Sequence, residues 1–317
     1  MLICYQRFDV VRVSTGKPES LFLRATLLIA FAMAETGLLS AENPNQNDPS
    51  GVRSVVSLRE SGLTESSGLA ISHRRQNHFW SHNDSGDQAR LYAFDSKGRK
   101  TGELGLKSVR AVDWEDMASF RDQGVARILV ADCGDNQRNR SYITLYLFDE
   151  PDPRDPKLPQ QIQTVYVRYP DGPHDCEAVA VDQHRKQIVL ITKGLLPASG
   201  IYVTPLPNRT TTEPRTSVFA KRIGTLPLPM VTAMDVHDES GDIWVVSYFQ
   251  AFRFVSASRD MPIAKQLGTL PEPYELPRWK QIEAVAIDAV NNVWLTSEGS
   301  PAPFGRLPTG DFQSRSR

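Results

Sequence analysis

Two short segments, Glu177-Ala-Val-Ala-Val-Asp182 and Ile188-Val-Leu-Ile-Thr-Lys193, decide the fold of this 317-residue chain. Each is a run of β-branched and small apolar residues between polar turn residues, which is typical of a buried β-strand. The start of the first segment, a polar residue followed by small and apolar ones, recurs at Glu65, Glu115, Thr232 and Glu283. The spacings of 50, 62, 55 and 51 residues are typical of a four-stranded propeller blade.

Every repeat continues with the same order of strands. A second strand ends in polar residues, as in His78–Asp84 and Val293–Glu298. A third strand follows in most repeats, for example Ile143–Phe148, and a fourth, weaker one closes the unit, as in Thr164–Arg168. No long stretch has the periodicity of a helix. The sequence therefore predicts an all-β fold.

The two ends of the repeat array predict how the ring closes. The fifth repeat ends near Leu307 without a fourth strand, whereas Val52–Arg59 is a strand without a blade. If this N-terminal strand completes the last blade, no sheet edge stays open. We therefore predict a five-bladed β-propeller over residues 52–310. Six blades are the alternative, with a degenerate unit hidden in the long second repeat.

The residues before the propeller have the pattern of an export signal. Basic residues precede the apolar run Ala25–Ala34, and Ala34 and Ala41 are candidate cleavage positions. The run is short for a membrane span and is interrupted by Glu35. The predicted segments are a signal peptide at 1–41, a disordered leader at 42–51 and a disordered tail at 311–317. We expect a periplasmic or extracellular monomer without a stable membrane span, and an uncleaved anchor is the alternative.

Charge excludes one class of partner. The chain has 36 basic and 37 acidic residues and a net charge of -1, so it has no overall basic footprint for nucleic acid. A small molecule, a glycan or a protein remains open as the partner.

Acidic residues concentrate where one face of a propeller forms. The first strand of each blade lines the central channel and the second runs antiparallel to it, so the start of one and the end of the other share a face. Crowded carboxylates repel each other unless a cation neutralises them, and oxygen ligands of this type suit Ca²⁺. Turn chemistry is the alternative for any single Asp or Asn. The candidate metal ligands are Glu65, Asp84, Asp113, Glu115, Asp116, Asp132, Asp135, Asn136, Asp175, Glu177, Glu283 and Glu298.

Several of these segments resemble the phytase-like bacterial propellers, a group that includes the SdiA-regulated and "esterase-like activity of phytase" families. The most specific are Asp113-Trp-Glu-Asp-Met-Ala118 and Asp132-Cys-Gly-Asp-Asn136, and the resemblance spans roughly Val55 to Leu307. It implies a calcium-supported propeller, usually exported, whose activity is poorly defined. The chain departs from the pattern at Thr232, where the fourth repeat lacks the glutamate, and this departure argues against a symmetric metal ring.

The sequence is compatible with a hydrolase and with a non-catalytic binding module. A calcium-dependent phosphoester or ester hydrolase needs basic and acid–base groups near the metal, and the candidates are His82, His174, Lys193 and Arg140. No nucleophile elbow is present. A non-catalytic module that binds a glycan or a protein is the alternative, and fold alone does not separate the two.

A disulfide between Cys133 and Cys176 is a further expectation. These are the cysteines left once the predicted signal, which contains Cys4, is removed. Both lie next to predicted ligands, at the end of one blade and the start of the next, and an exported compartment permits oxidation. Two small buried thiols are the alternative.

Overall fold

Five sheets, each with four antiparallel strands, are arranged as the blades of a ring. The computed structural model describes residues 53–211 and 213–309. The first blade contains β2 (Ser66–Ile71), β3 (His78–Asn83), β4 (Arg90–Asp95) and β5 (Lys100–Gly105). The second contains β6 (Trp114–Asp122), β7 (Val125–Asp132), β8 (Ile143–Asp149) and β9 (Ile162–Arg168). The third contains β10 (Cys176–Asp182), β11 (Gln187–Thr192), β12 (Ser199–Pro205) and β14 (Lys221–Leu226).

The last two blades follow the same plan. The fourth contains β15 (Val231–Val236), β16 (Ile243–Ser247), β17 (Gln250–Phe254) and β18 (Glu272–Glu275), with the short helix α1 (Ile263–Leu267) between the last two. The fifth contains β19 (Ile282–Ile287), β20 (Val293–Ser297), β21 (Ala302–Leu307) and β1 (Arg53–Leu58). The predicted five-bladed, all-β propeller is confirmed.

The N-terminal strand closes the ring, as predicted. β1 pairs antiparallel with β21, with Val56 opposite Phe304. The Phe304 ring also contacts the Phe79 ring of the first blade, with the ring centroids 5.0 Å apart. The inner strands β2, β6, β10, β15 and β19 contact each other in that order, and β19 contacts β2 again. The fifth blade is therefore complete only when the N-terminal strand is in place.

Hydrophobic packing lies between the blades. Five clusters of buried side chains each join two neighbouring blades, and one of them joins the fifth blade to the first. The largest buried side chains include Trp80, Trp114 and Trp244. Because the inner strands and the second strands are buried on both faces, most of them are continuous apolar runs, and this produces the regular repeat in the sequence.

Extra residues in the second and third repeats do not form a sixth blade. The loop between β8 and β9 spans residues 150–161 and accounts for the long second repeat. The third repeat contains one additional strand, β13 (Arg215–Phe219), which pairs parallel with β9 at the outer edge of the second blade.

The predicted signal peptide, leader and tail lie outside the described residues. Within residues 53–211 and 213–309, no helix is long and apolar enough to cross a membrane. Export therefore stays a prediction.

Candidate metal centre

A β-bulge interrupts the inner strand of every blade at the same position. The register shifts between the first and third residues of each inner strand, for example between Trp114 and Asp116 in β6. A bulge leaves one residue out of the ladder and re-aims its side chain. The bulged residues are Ser67, Glu115, Glu177, Thr232 and Glu283. The predicted equivalence of Glu65 with the other glutamates is therefore wrong, because the corresponding residue of the first blade is Ser67.

Two more sets of equivalent positions surround the bulges. The residues that precede the inner strands are Glu65, Asp113, Asp175, Met230 and Gln281. The residues that follow the second strands are Asp84, Cys133, Lys193, Tyr248 and Glu298. In four blades a backbone hydrogen bond joins the two sets, as between the Lys193 N–H and the Asp175 carbonyl oxygen at 2.9 Å. In the second blade the N–H of Gly134, the residue after Cys133, donates to the Asp113 carbonyl oxygen. Together the three sets form one face of the ring, which we call the acidic face.

Five carboxylates of the first three blades meet on this face. Asp84, Asp113 and Glu115 form one group, and Glu115, Asp175 and Glu177 form another. In each group one oxygen per residue lies within 4.8 Å of the others, so each can hold a metal ion. Glu115 belongs to both groups and joins them. Five of the twelve predicted ligands are therefore brought together.

Burial makes this cluster electrostatically costly. Burial, followed by the negative charge of Asp84, raises the pKa of Asp113 to about 7. Burial, reinforced by Glu177 and Asp84, raises the pKa of Glu115 well above its usual value. Carboxylates in such surroundings either hold protons or neutralise a cation. The cluster has the composition that a bound cation requires.

Lys193 is the cation nearest to the cluster. Its Nζ donates to Glu177 Oε1 at 2.6 Å and to the Tyr248 hydroxyl at 3.0 Å, and Tyr248 in turn donates to Glu283 Oε1 at 3.0 Å. Burial opposes the charge on Lys193, but the Glu177 carboxylate outweighs it and raises the pKa of Lys193 above its usual value. One oxygen of Glu177 is thus engaged by an ammonium group.

Other predicted ligands hold the backbone in place. Asp116 is fully buried and accepts hydrogen bonds from the N–H groups of Met117 and Val179. Asp132 accepts from two backbone N–H groups and pairs with Arg140 at 2.8 Å. Asp135 accepts from the N–H groups at 139 and 140. Asn136 is exposed. The structure places none of these four in the two carboxylate groups.

Glu65, Glu283 and Glu298 lie on the acidic face but outside the two groups. Glu283 accepts hydrogen bonds from Tyr248 and from Gln281 Nε2, the latter at 3.1 Å. Glu298 accepts from Gln281 at 2.9 Å and pairs with Lys280 at 2.8 Å. Polar and basic neighbours thus occupy the carboxylates of the last blade, so the acidic face is asymmetric.

Gly134 has a role that the sequence reasoning missed. A Cβ at this position would overlap Glu115 Oε1 and lie 2.5 Å from Asp113 Oδ2. Its φ is not in the left-handed region, so the backbone conformation alone does not require glycine. Gly134 leaves the space in which the carboxylates approach each other. A glycine two residues after the end of a second strand, in the Asp-Cys-Gly-Asp segment, was the available signal.

Of the four predicted catalytic residues, two stabilise the surrounding structure and two lie at or near the carboxylates. His82 is fully buried, and burial lowers its pKa to about 4, so it packs in the core rather than facing the site. Arg140 donates to the carbonyl oxygens of Asp132 and Gly134 and braces their loop. His174 is half-buried and its Nε2 lies 2.9 Å from the Tyr202 hydroxyl. Of the four, Lys193 lies beside the carboxylates and His174 lies in a neighbouring cleft.

The predicted disulfide is not formed. Cys133 and Cys176 are free and buried, and the Cys133 thiol donates to the Cys176 carbonyl oxygen at 3.0 Å. Burial raises the pKa of Cys133 well above its usual value, which disfavours the reactive thiolate. The two residues share a seam between blades, as the topology predicted, but they occupy it as small apolar side chains.

No family model and no curated protein matches this sequence. Among solved structures, the chain is similar to a calcium-binding protein, regucalcin, from Agrobacterium tumefaciens C58, at 14% identity and TM-score 0.42, over 77% of this chain and 71% of that one. It is similar to a gluconolactonase from Xanthomonas campestris at 11% identity and TM-score 0.45, over 80% and 89%. A PQQ-bound aldose sugar dehydrogenase from Streptomyces coelicolor has 14% identity and TM-score 0.40, over 80% and 97%. Similarity at this level does not define the chemistry of the site, and the phytase-like resemblance stays a prediction.

Proposed function

We propose that this propeller binds Ca²⁺ on its acidic face, through Asp84, Asp113, Glu115, Asp175 and Glu177. The observation that carries the proposal is the convergence of these carboxylates in two groups that share Glu115. Every donor is an oxygen, and Ca²⁺ takes six to eight oxygen ligands in flexible geometry. Thiol and imidazole ligands, which zinc prefers, are missing from both groups.

The surroundings of the carboxylates support a bound cation. The N–H of Asp135 donates to Asp175 Oδ1 at 2.9 Å and orients that carboxylate, while Gly134 leaves space at Glu115 and Asp113. Lys193 neutralises only one edge of the cluster, at Glu177. A divalent ion would neutralise the remaining carboxylates, whose pKa values are raised by burial and by each other.

Calcium binding is tested by thermal unfolding of the purified protein in EDTA and in Ca²⁺. Calcium at about 100 times its dissociation constant adds about 2.7 kcal/mol to the free energy of unfolding, so the melting temperature should rise. Glu115→Gln should lose most of this rise because it removes the shared ligand. Asp155→Asn is the matched control, since Asp155 is an exposed carboxylate paired with Lys157 on the opposite face. An unchanged melt, together with no metal in mass spectrometry, would refute the proposal.

A calcium-dependent hydrolase of esters or phosphoesters is the second candidate function. Burial raises the pKa of Asp113 to about 7 in the metal-free protein, and in the hydrolase Asp113 would act as the general base while the other four carboxylates hold the calcium. Lys193 Nζ offers a positive charge to an anionic oxygen beside it. Calcium, when bound, would polarise the ester or phosphoester oxygen.

Activity on phosphoester and lactone substrates, measured with and without EDTA, separates the two candidates. A hydrolase should lose at least about 100-fold in kcat when Asp113 is changed to Asn, because a general base contributes roughly that much. Asp155→Asn should keep its activity. Calcium binding without any turnover would instead support a binding module.

A further inference from the structure

A second feature of the acidic face is a cleft beside the carboxylate cluster. It has a volume of about 350 Å³, which lies within the usual range of roughly 300–1,000 Å³ for small-molecule sites. Its lining includes the basic residues Arg138, Lys193 and Arg222, His174, and the leucines Leu195 and Leu196. Lys193 joins the cleft to the cluster, because its Nζ lies 2.6 Å from Glu177.

The charged residues that line the cleft are basic. The lining of the cleft contains no Asp or Glu, and three of its residues carry a positive charge. Asp171 is not one of the lining residues, but it accepts hydrogen bonds from two of them, from the Tyr202 hydroxyl and from Arg222. Within the described residues, no salt bridge engages Arg138, which is exposed. Arg138, beside Lys193 and Arg222, which pair with Glu177 and Asp171, therefore offers a positive charge to an anionic group.

The lining also contains two exposed apolar residues. Leu195 and Leu196 are 79% and 74% exposed, at the tip of the loop between β11 and β12. The Met230 N–H donates to the Gly194 carbonyl oxygen at 2.8 Å and so tethers the base of this loop to the fourth blade. Two adjacent exposed leucines beside three cations complement a ligand with an aliphatic chain and a charged head group.

We propose that the cleft binds a small amphipathic anion, with its head group at Arg138, Lys193 and Arg222 and its aliphatic chain against Leu195 and Leu196. The inference extends the proposed function by naming the class of molecule that the acidic face takes. It rests on the proposed function only in placing the anion beside a bound calcium ion. The lining residues that would hold the anion are cations and leucines, and they include none of the calcium ligands.

The test is calorimetric titration of decanoate into the metal-free, full-length protein, below the micellar concentration. Decyl phosphate, decanol and acetate are titrated in parallel. Decanoate or decyl phosphate should bind at least about tenfold more tightly than decanol or acetate, because only they carry both the charge and the chain. The stronger of the two anions identifies the head group. Equal binding of decanoate and decanol, or no binding of either anion, would overturn the proposal.

Variants assign the binding to this cleft. Leu195→Ser with Leu196→Ser should weaken decanoate binding by about tenfold or more, since the chain loses its apolar contact. Arg138→Gln should weaken it by about fivefold. The matched controls, Leu270→Ser and Arg154→Gln, change exposed residues on the opposite face and should bind as the wild type does. Equal effects of the control and cleft variants would overturn the proposal.

Two further measurements keep the inference apart from the proposed function. Calcium is titrated separately, without any fatty anion. Decanoate binding without calcium binding would refute the calcium site and support the cleft proposal. Calcium binding without decanoate binding would support the calcium site and refute the cleft proposal. Sedimentation with anionic phospholipid vesicles in the absence of decanoate binding would assign the two leucines to a membrane surface and overturn the proposal.

Discussion

Lys193 shows how a single residue makes the acidic face asymmetric. It occupies the position after the second strand that Asp84 and Glu298 occupy in other blades. Its ammonium group binds Glu177 and contacts the Tyr248 ring, with Nζ 4.9 Å from the ring centroid. Lys193 therefore lies between the carboxylate cluster for which we propose a cation and the cleft for which we propose an anion.

At the same scale, the raised pKa values predict an unusual pH dependence of the metal-free protein. The pKa of Asp113 rises from an ordinary 3.8 to about 7 on folding, and that of Glu283 from 4.5 to about 7. A group whose pKa is raised on folding contributes stability below its unfolded pKa, and this stability is lost as the pH rises through the folded pKa. The melting temperature in EDTA should therefore fall between about pH 4 and pH 7. Calcium should reverse the part of the fall that comes from Asp113, and a melt that rises steadily over this range would contradict the assignment.

At the scale of elements, the bulge in each inner strand and the loop after β7 build the site. The bulge at Glu115 turns its carboxylate out of the ladder toward the acidic face. The loop after β7 brings Gly134 against this carboxylate and the Asp135 N–H against Asp175. Site geometry therefore depends on backbone features that carry no charge.

Gly134→Ala tests this dependence on backbone space. The added methyl group would push Glu115 and Asp113 apart, and calcium affinity should fall by about 10- to 100-fold, as when a group that supports a metal ligand is lost. Gly105→Ala is the control, because a Cβ at Gly105 meets no atom within 4 Å. Calorimetric calcium titration compares the two variants. Equal affinities would show that Gly134 does not shape the site.

The whole molecule depends on ring closure. β1 completes the fifth blade and buries Leu58 against the first blade, so the two ends of the propeller hold each other. The carboxylates that meet on the acidic face come from three neighbouring blades, so the contacts between blades set the distances between them.

Deleting residues 53–58 tests the closure. The deletion exposes an unpaired edge on β21 and removes a buried contact between the first and last blades, so cooperative unfolding should be abolished. Circular dichroism during heating measures this. Removing residues 42–51 alone, which precede the strand, is the control and should leave the melting midpoint unchanged. An unchanged midpoint after deletion of residues 53–58 would contradict closure by β1.

The sequence by itself determined the strands, the number of blades and the closing strand, because apolar runs buried on both faces leave a local pattern that turns interrupt at regular intervals. It also identified Asp84, Asp113, Glu115, Asp175 and Glu177 as acidic residues near one face. Only the tertiary structure decided that these five meet while Asp116 and Asp132 bind the backbone instead. The reason is that a one-residue bulge and the contact between blades set where a side chain points, and neither leaves a local signal. For the same reason the two cysteines lie in one seam between blades without forming a disulfide. Ser67, rather than Glu65, occupies the position in the first blade that the bulged glutamates occupy in other blades.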